Sequence, residues 1–232
     1  MTTLAAHYEP MENLSTRKHG GDCPSDTGQA ALCKKYLRYS PTMLVTLIGS
    51  PCSGKTTCAA RMFAALKDAG VPAEFLPEQA RLYIAERRAV VEGGIRLSNV
   101  DQVLIMKKQL EVEVTMMMAC GKEVVLVSDG SPINSLLYMD PEFRKSPMVK
   151  AMVDIHRQHQ SLTFYVNTVS PGFGADPNRI HDMEFSRTVD RELPELLRQE
   201  VPWLSYIHLQ GDSQHRTDVA LGYVFTQLLK PS

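Results

Sequence analysis

An α/β fold, with helices on both faces of a mostly parallel five-stranded sheet, is what this chain of 232 residues predicts. Three observations lead there. From residue 43 onward, compact apolar runs of four to six residues alternate with longer amphipathic stretches. A glycine-bearing turn joins the first run directly to a helical stretch, and most later helical stretches stop on glycine, proline or a polar loop.

The elements follow in order. Residues 1–26 mix Gly, Pro, Ser, Thr and charge without an apolar period and read as a loosely held arm. Residues 28–38 carry Ala31, Leu32, Tyr36 and Leu37 on one side and read as a short helix stopped by Pro41. This sets an N-terminal arm, 1–40, apart from one domain, 41–232, a size that a single sheet can serve. Strands are expected at 43–48, 73–76, 124–127, 162–166 and 206–209. Helices are expected at 55–69, closed by Gly70, and at 78–91, stopped by Gly93 and Gly94. A long helix opens on Ser98 with Asp101 and runs to Cys120, and others cover 147–160, 183–200 around Pro194, and 217–229. In such a sheet, ligands sit at the carboxyl ends of the strands.

Composition narrows the function classes. The hydrophobic fraction of 44% and charged fraction of 22% are those of an ordinary soluble domain. No apolar run approaches a bilayer-spanning length, which excludes a membrane-spanning chain, and the first twenty residues lack a secretion signal. The five cysteines form no close metal-type pair, which fits a reducing, cytoplasmic setting. His156, His159, His181, His208 and His215 show no zinc-like grouping. A net charge of −1 gives no global attraction to polyanions, so nucleic acid would have to be met by a local basic groove.

The chemistry-bearing stretch is Gly49-Ser50-Pro51-Cys52-Ser53-Gly54-Lys55-Thr56, a complete G-x-x-x-x-G-K-[ST] match placed after a strand and before a helix. Glycines let the backbone wrap a triphosphate so that amide N–H groups and the helix N-terminus face it. Lys55 is then placed for the β and γ oxygens, Thr56 for Mg²⁺, and Thr57 for the loop. Cys52 reads as a small loop residue, since phosphoryl transfer needs no thiol nucleophile. The predicted fold is thus a P-loop kinase-like three-layer one, binding ATP or another nucleoside triphosphate with Mg²⁺.

Two carboxylates stand at strand ends. Asp129 closes the third strand and is the candidate for the metal or its water, against a plain turn role before Gly130-Ser131-Pro132. Glu78 opens the helix after the second strand, where a carboxylate either complements the helix dipole or accepts an acceptor hydroxyl's proton. Arg81, one turn on, is placed to orient Glu78 or the acceptor. The Gly/Pro-rich stretch from Ser170 and the helix start after it, about 170–190, read as a lid whose Arg179 and Arg187 would meet the phosphates, with Arg191 on the same helix face; ordinary surface arginines are the alternative. Met116, Met117 and Met118 read as core filling behind the long helix.

Taken together, the Walker A run, Pro77-Glu78-Gln79-Ala80-Arg81, Ser128-Asp129-Gly130 and Asn178-Arg179-Ile180-His181-Asp182 resemble the ribosylnicotinamide-kinase-like P-loop family, an AAA-type group that includes bacteriophage nucleotide kinases. The likeness spans residues 43–229. It implies nucleotide and metal roles for Lys55 and Thr56, a metal role for Asp129 and an acceptor-side role for Glu78. Phage members similar to it phosphorylate 5-hydroxymethyluracil in DNA, which the resemblance makes the specific acceptor expected here. A free nucleoside such as ribosylnicotinamide is the alternative, and a hydrolysing ATPase or a nucleotide-binding module are competitors of other classes. A DNA groove would draw on Lys34, Lys35, Arg38 and the pairs Arg87-Arg88 and Lys107-Lys108, for which solvated helix faces are the alternative. One departure stands out: the family often places Asp-Arg at the third strand's end, whereas Asp129 here precedes Gly130.

Overall fold

The computed structural model describes residues 42–88, 97–120, 124–167 and 183–229. Five strands, β1 (Met43–Ile48), β2 (Ala73–Leu76), β3 (Val125–Ser128), β4 (Leu162–Val166) and β5 (Ile207–Leu209), form one sheet in the order β2-β3-β1-β4-β5. Every pairing is parallel: Val45 lies opposite Val127 on one side and Leu162 on the other. Parallel neighbours require crossovers, and helices supply them. They are α1 (Lys55–Asp68), α2 (Gln79–Arg88), α3 (Asn99–Cys120), α4 (Pro141–Arg144), α5 (Pro147–His159), α6 (Met183–Glu200) and α7 (Ser213–Leu228), with a 3-10 helix at Pro132–Tyr138.

Side-chain alternation in β1 explains why all six of its residues are buried. Met43, Val45 and Leu47 face α1 and α7 together with Met62, Leu66, Phe164 and Val224. On the opposite face, Ile48 joins Met106, Leu110, Leu136 and Leu193, and Leu44 joins Leu76 and Leu126. Covering both faces leaves the carboxyl edge of the sheet as the place where loops meet.

Two local devices fix the approach to that edge. Ser98 and Asp101 form a reciprocal cap at the start of α3, since Asp101 N donates to Ser98 Oγ (3.2 Å) and Ser98 N donates to Asp101 Oδ2 (2.8 Å). Tyr83 and Arg87 of α2 both donate to Asp101 Oδ1, at 2.6 and 2.8 Å, and so lash α2 to α3. Burial would raise the Asp101 carboxyl, but these hydrogen bonds and the Arg87 charge outweigh it and hold the group well below the usual carboxylate range.

Several expectations are amended. The closing helix begins at Ser213 rather than 217, because Asp212 caps it by accepting from His215 N at 2.8 Å. Of the three methionines assigned to the core, Met116 and Met117 pack partly against Leu44, Leu76 and Leu126, while Met118 is 81% exposed. The arm at 1–40 and residues 170–182 of the expected lid fall outside the described residues; 183–190 form the first turns of α6. Among the described residues, no helix is long and apolar enough to cross a membrane.

Candidate active site

The loop between β1 and α1 has the backbone the motif demands. Gly49 sits at φ 147, Gly54 at φ 90 and Cys52 in the left-handed region at φ 61. A Cβ on Gly49 would lie 2.1 Å from the Val166 carbonyl oxygen, so no side chain fits there without moving β4. Gly49→Ala should therefore lower stability by about 2–4 kcal/mol in urea unfolding and weaken nucleotide binding with it.

Lys55, the first residue of α1, is 8% exposed, and its ammonium donates to the carbonyls of Gly49 (3.1 Å) and Ser50 (2.7 Å). Burial lowers its pKa, while the carboxylates of Glu78, Asp129 and Asp190 oppose that fall. The charge is thus centred within the loop.

Asp129 stands at the end of β3, its N–H donating to the Leu76 carbonyl at 2.8 Å. Burial and the neighbouring Glu78 carboxylate push its carboxyl up to about 6, against a Thr56 hydrogen bond and the charges of Lys55 and Arg81. Its Oδ1 is buried with no hydrogen-bond partner. A Thr56 hydroxyl beside an unpartnered carboxylate oxygen is an all-oxygen set suited to a hard divalent cation, and the repulsion from Glu78 is one such a cation would relieve. The residues present therefore fit Mg²⁺.

Glu78 precedes α2, with its side chain 28% exposed. It flanks Gly130: a Cβ built there would lie 3.7 Å from both Glu78 Cγ and Gln109 Oε1. Arg81 Nη2 donates to Thr56 Oγ1 at 3.3 Å and lies 3.8 Å from Glu78 Oε2. Gly130 follows Asp129 at the end of β3, and the guanidinium that reaches the Walker A threonine comes from Arg81 of α2.

Lys55, Thr56, Glu78 and Arg81 open onto one cavity of about 750 Å³, which runs from the Walker A loop to a wall made by α3 and the 3-10 helix. Gln102, Gln109, Ser131, Asn134, Ser135 and Tyr138 form the polar part of that wall. The structure thus gathers Lys55, Thr56, Thr57 and Glu78 around one space, with Asp129 behind them. Arg187 lies exposed on α6 and is not among the lining residues, and Arg179 is outside the described residues.

Sequence reasoning missed Arg216 of α7. It is 3% exposed and braces the loop from behind, donating to the Ser53 carbonyl (2.8 Å) and to Asn167 Oδ1 (3.0 Å). No local pattern announces a partner 163 positions away. Among the described residues, three of the basic side chains assigned to a DNA groove are matched by acids: Arg87 pairs with Asp101, Lys107 with Glu111 (2.6 Å) and Lys108 with Glu86 (2.7 Å). Lys34, Lys35 and Arg38 are outside the described residues.

No curated protein matches the chain. Among solved structures, a NadR protein in complex with NR superposes with a TM-score of 0.57 at 17% identity, covering 82% of this chain and 52% of the other. A NadR protein in complex with NAD and AMP-PNP gives 0.56 at 16% identity, covering 82% and 51%. The chain spans about half the length of these NadR proteins, and at such identity the likeness establishes the fold. A family match runs over residues 44–216, from β1 and the Walker A loop to the arginine that braces it, and on that extent the chain belongs to the AAA domain family.

Proposed function

We propose that this chain transfers the γ-phosphoryl group of ATP to a hydroxyl of a small nucleoside-type acceptor. The observation that carries the reading is one cavity lined by a complete Walker A loop, by the Glu78 carboxylate and by an uncharged polar wall. Lys55 neutralises the β and γ oxygens, and the loop N–H groups hold the triphosphate in place. Thr56 and Asp129 would hold Mg²⁺, which supplies further neutralisation of the phosphate oxygens. Glu78 accepts the acceptor hydroxyl's proton as the oxygen attacks the γ-phosphorus, the bond from that phosphorus to the bridging oxygen breaks, and ADP leaves. The NR and the AMP-PNP bound by the two NadR neighbours are in keeping with a nucleoside acceptor and an ATP-type donor.

A small acceptor is favoured over 5-hydroxymethyluracil in DNA, because Arg87 and Lys107 are ion-paired and lend little free positive charge to a groove. Incubation with γ-labelled ATP and a panel of nucleosides, nucleotides and hydroxymethyluracil-containing DNA tests this. Label is expected on a free nucleoside; label confined to the DNA, with a steep loss as salt rises, would restore the DNA acceptor.

Glu78→Gln keeps size and hydrogen bonding but cannot take a proton. Its single-turnover transfer rate should fall about a hundredfold, while ATP affinity changes less than about threefold. Weakened ATP binding at an unchanged transfer rate would remove the base role.

A further inference from the structure

Beneath the wall of the cavity, six hydrogen bonds converge on one buried carboxylate. From one side, Gln79 N–H donates to Gln109 Oε1 (3.0 Å), Gln109 Nε2 donates to Ser128 Oγ (3.0 Å), and the Ser128 hydroxyl donates to Glu113 Oε1 (3.2 Å). From the other, Ile133 N–H donates to Ser131 Oγ (3.3 Å), Ser131 Oγ lies 3.2 Å from His156 Nε2, and His156 Nδ1 lies 3.0 Å from Glu113 Oε2. Glu113 is 1% exposed and His156 fully buried.

A carboxylate only accepts, so Nδ1 carries the hydrogen and donates to Glu113. In the neutral ring, Nε2 then accepts from the Ser131 hydroxyl. Every donor in the network therefore points toward Glu113, and each bond polarises the next. Gln109 and Ser131, one on each side of the network, line the cavity. With the Ser131 hydroxyl and one of the two Gln109 N–H groups committed inward, the lone pairs left on Gln109 Oε1 and Ser131 Oγ are the acceptors that these two residues offer the cavity. Packing alone does not call for this arrangement: Met106, Leu110 and Val153 belong to the same layer, and an apolar fill stabilises at least as well as a buried polar pair.

We infer that the Glu113–His156 pair is a positioning device, which fixes Gln109 and Ser131 as hydrogen-bond acceptors so that this wall selects substrates presenting N–H or O–H donors. Amide, amine and hydroxyl groups of a nucleoside are of that kind. Through Gln109 the same network holds the first N–H of α2, next to Glu78.

Ser131→Ala, His156→Asn and the double variant test the inference on the full chain. Amide hydrogen exchange needs no substrate: in His156→Asn the Gln79 and Ile133 amides should exchange about tenfold faster or more, with the amides of α1 unchanged. With a nucleoside from the panel, each single variant should lower acceptor kcat/KM about tenfold and narrow the preference over its O- or N-methylated analogue. The affinity for a fluorescent ATP analogue should stay within about twofold, and the double variant should lose little more than the worse single one. Ser131→Ala removes one hydroxyl and keeps the kinetic comparison available where His156→Asn does not fold. The kinetic half rests on the proposed kinase reading, and the exchange half does not. A chain that phosphorylates nothing in the panel yet shows the local exchange change refutes the kinase reading and supports the network. Unchanged exchange at both amides, a uniform loss of protection, or additive kinetic losses with the methyl discrimination intact would overturn the inference.

Discussion

Lys55→Ala is expected to lower phosphoryl transfer by about a thousandfold, some 4 kcal/mol of transition-state stabilisation, with a folded protein left behind. The ammonium is the cation at the centre of the Walker A loop, and its hydrogen-bond partners are the carbonyls of Gly49 and Ser50 rather than a carboxylate of the core. Removing it takes away a buried charge that desolvation already disfavours, so the fold loses little. Circular dichroism and thermal unfolding check the second half of that expectation, and single-turnover transfer the first. A folded Lys55→Ala protein with near-normal turnover would take the Walker A loop out of the mechanism.

Asp129→Asn should act in opposite directions on activity and stability. Loss of the charge that would face the metal should lower Mg²⁺-dependent transfer by about two to three orders of magnitude. The stability effect follows from linkage. The folded carboxyl is pushed up to about 6, above the 3.8 of a free aspartate, so the folded chain holds a proton that the unfolded chain has lost between those values. That contribution is fully present below the unfolded value and is lost as pH rises through 6. At pH 7.5 the ionised group therefore destabilises the ligand-free fold, on the order of 2–3 kcal/mol. Asp129→Asn should raise the ligand-free Tm at pH 7.5 by about 5 °C, and the gap should shrink as pH falls from 6 toward 4. A variant less stable than the parent at pH 7.5, with Mg²⁺ dependence intact, would contradict both halves.

The strands were legible because each is a compact apolar run in a sheet buried on both faces, and all five lie within a residue of their expected bounds. The start of α3 was legible from Ser98 and Asp101, a local capping pair. The segment after Asp129 was not: Pro132–Tyr138 forms a 3-10 helix whose Ile133 and Leu136 face the core at a spacing of three, too short a stretch to show a period. The start of α7 was misplaced because its cap, Asp212, follows a glycine in a polar stretch that reads as loop.

The site divides in the same way. Walker A is local in sequence, and its residues fall together. Glu78 and Asp129 were legible as strand-end carboxylates, although their mutual repulsion depends on β2 and β3 being neighbours. Arg216, Glu113 and His156 carry no local signal: their partners lie 15 to 163 positions away, and a lone histidine on an amphipathic helix looks like any core position. Arg87 was assigned to a groove because Asp101, which pairs with it across two helices, was read only as a cap, whereas the Lys107–Glu111 pair, four apart on one helix, was there to be read.

The central claim is that this cavity moves a phosphoryl group to an acceptor rather than to water. The most direct measurement is the fate of the γ-label of ATP in a single turnover with Mg²⁺ and the nucleoside panel, comparing the parent chain with Lys55→Ala. Label should appear on an acceptor hydroxyl faster than as inorganic phosphate, and both should vanish in the variant. Release of label only as inorganic phosphate, at a rate indifferent to every acceptor in the panel, would contradict the account and make the chain a hydrolysing ATPase.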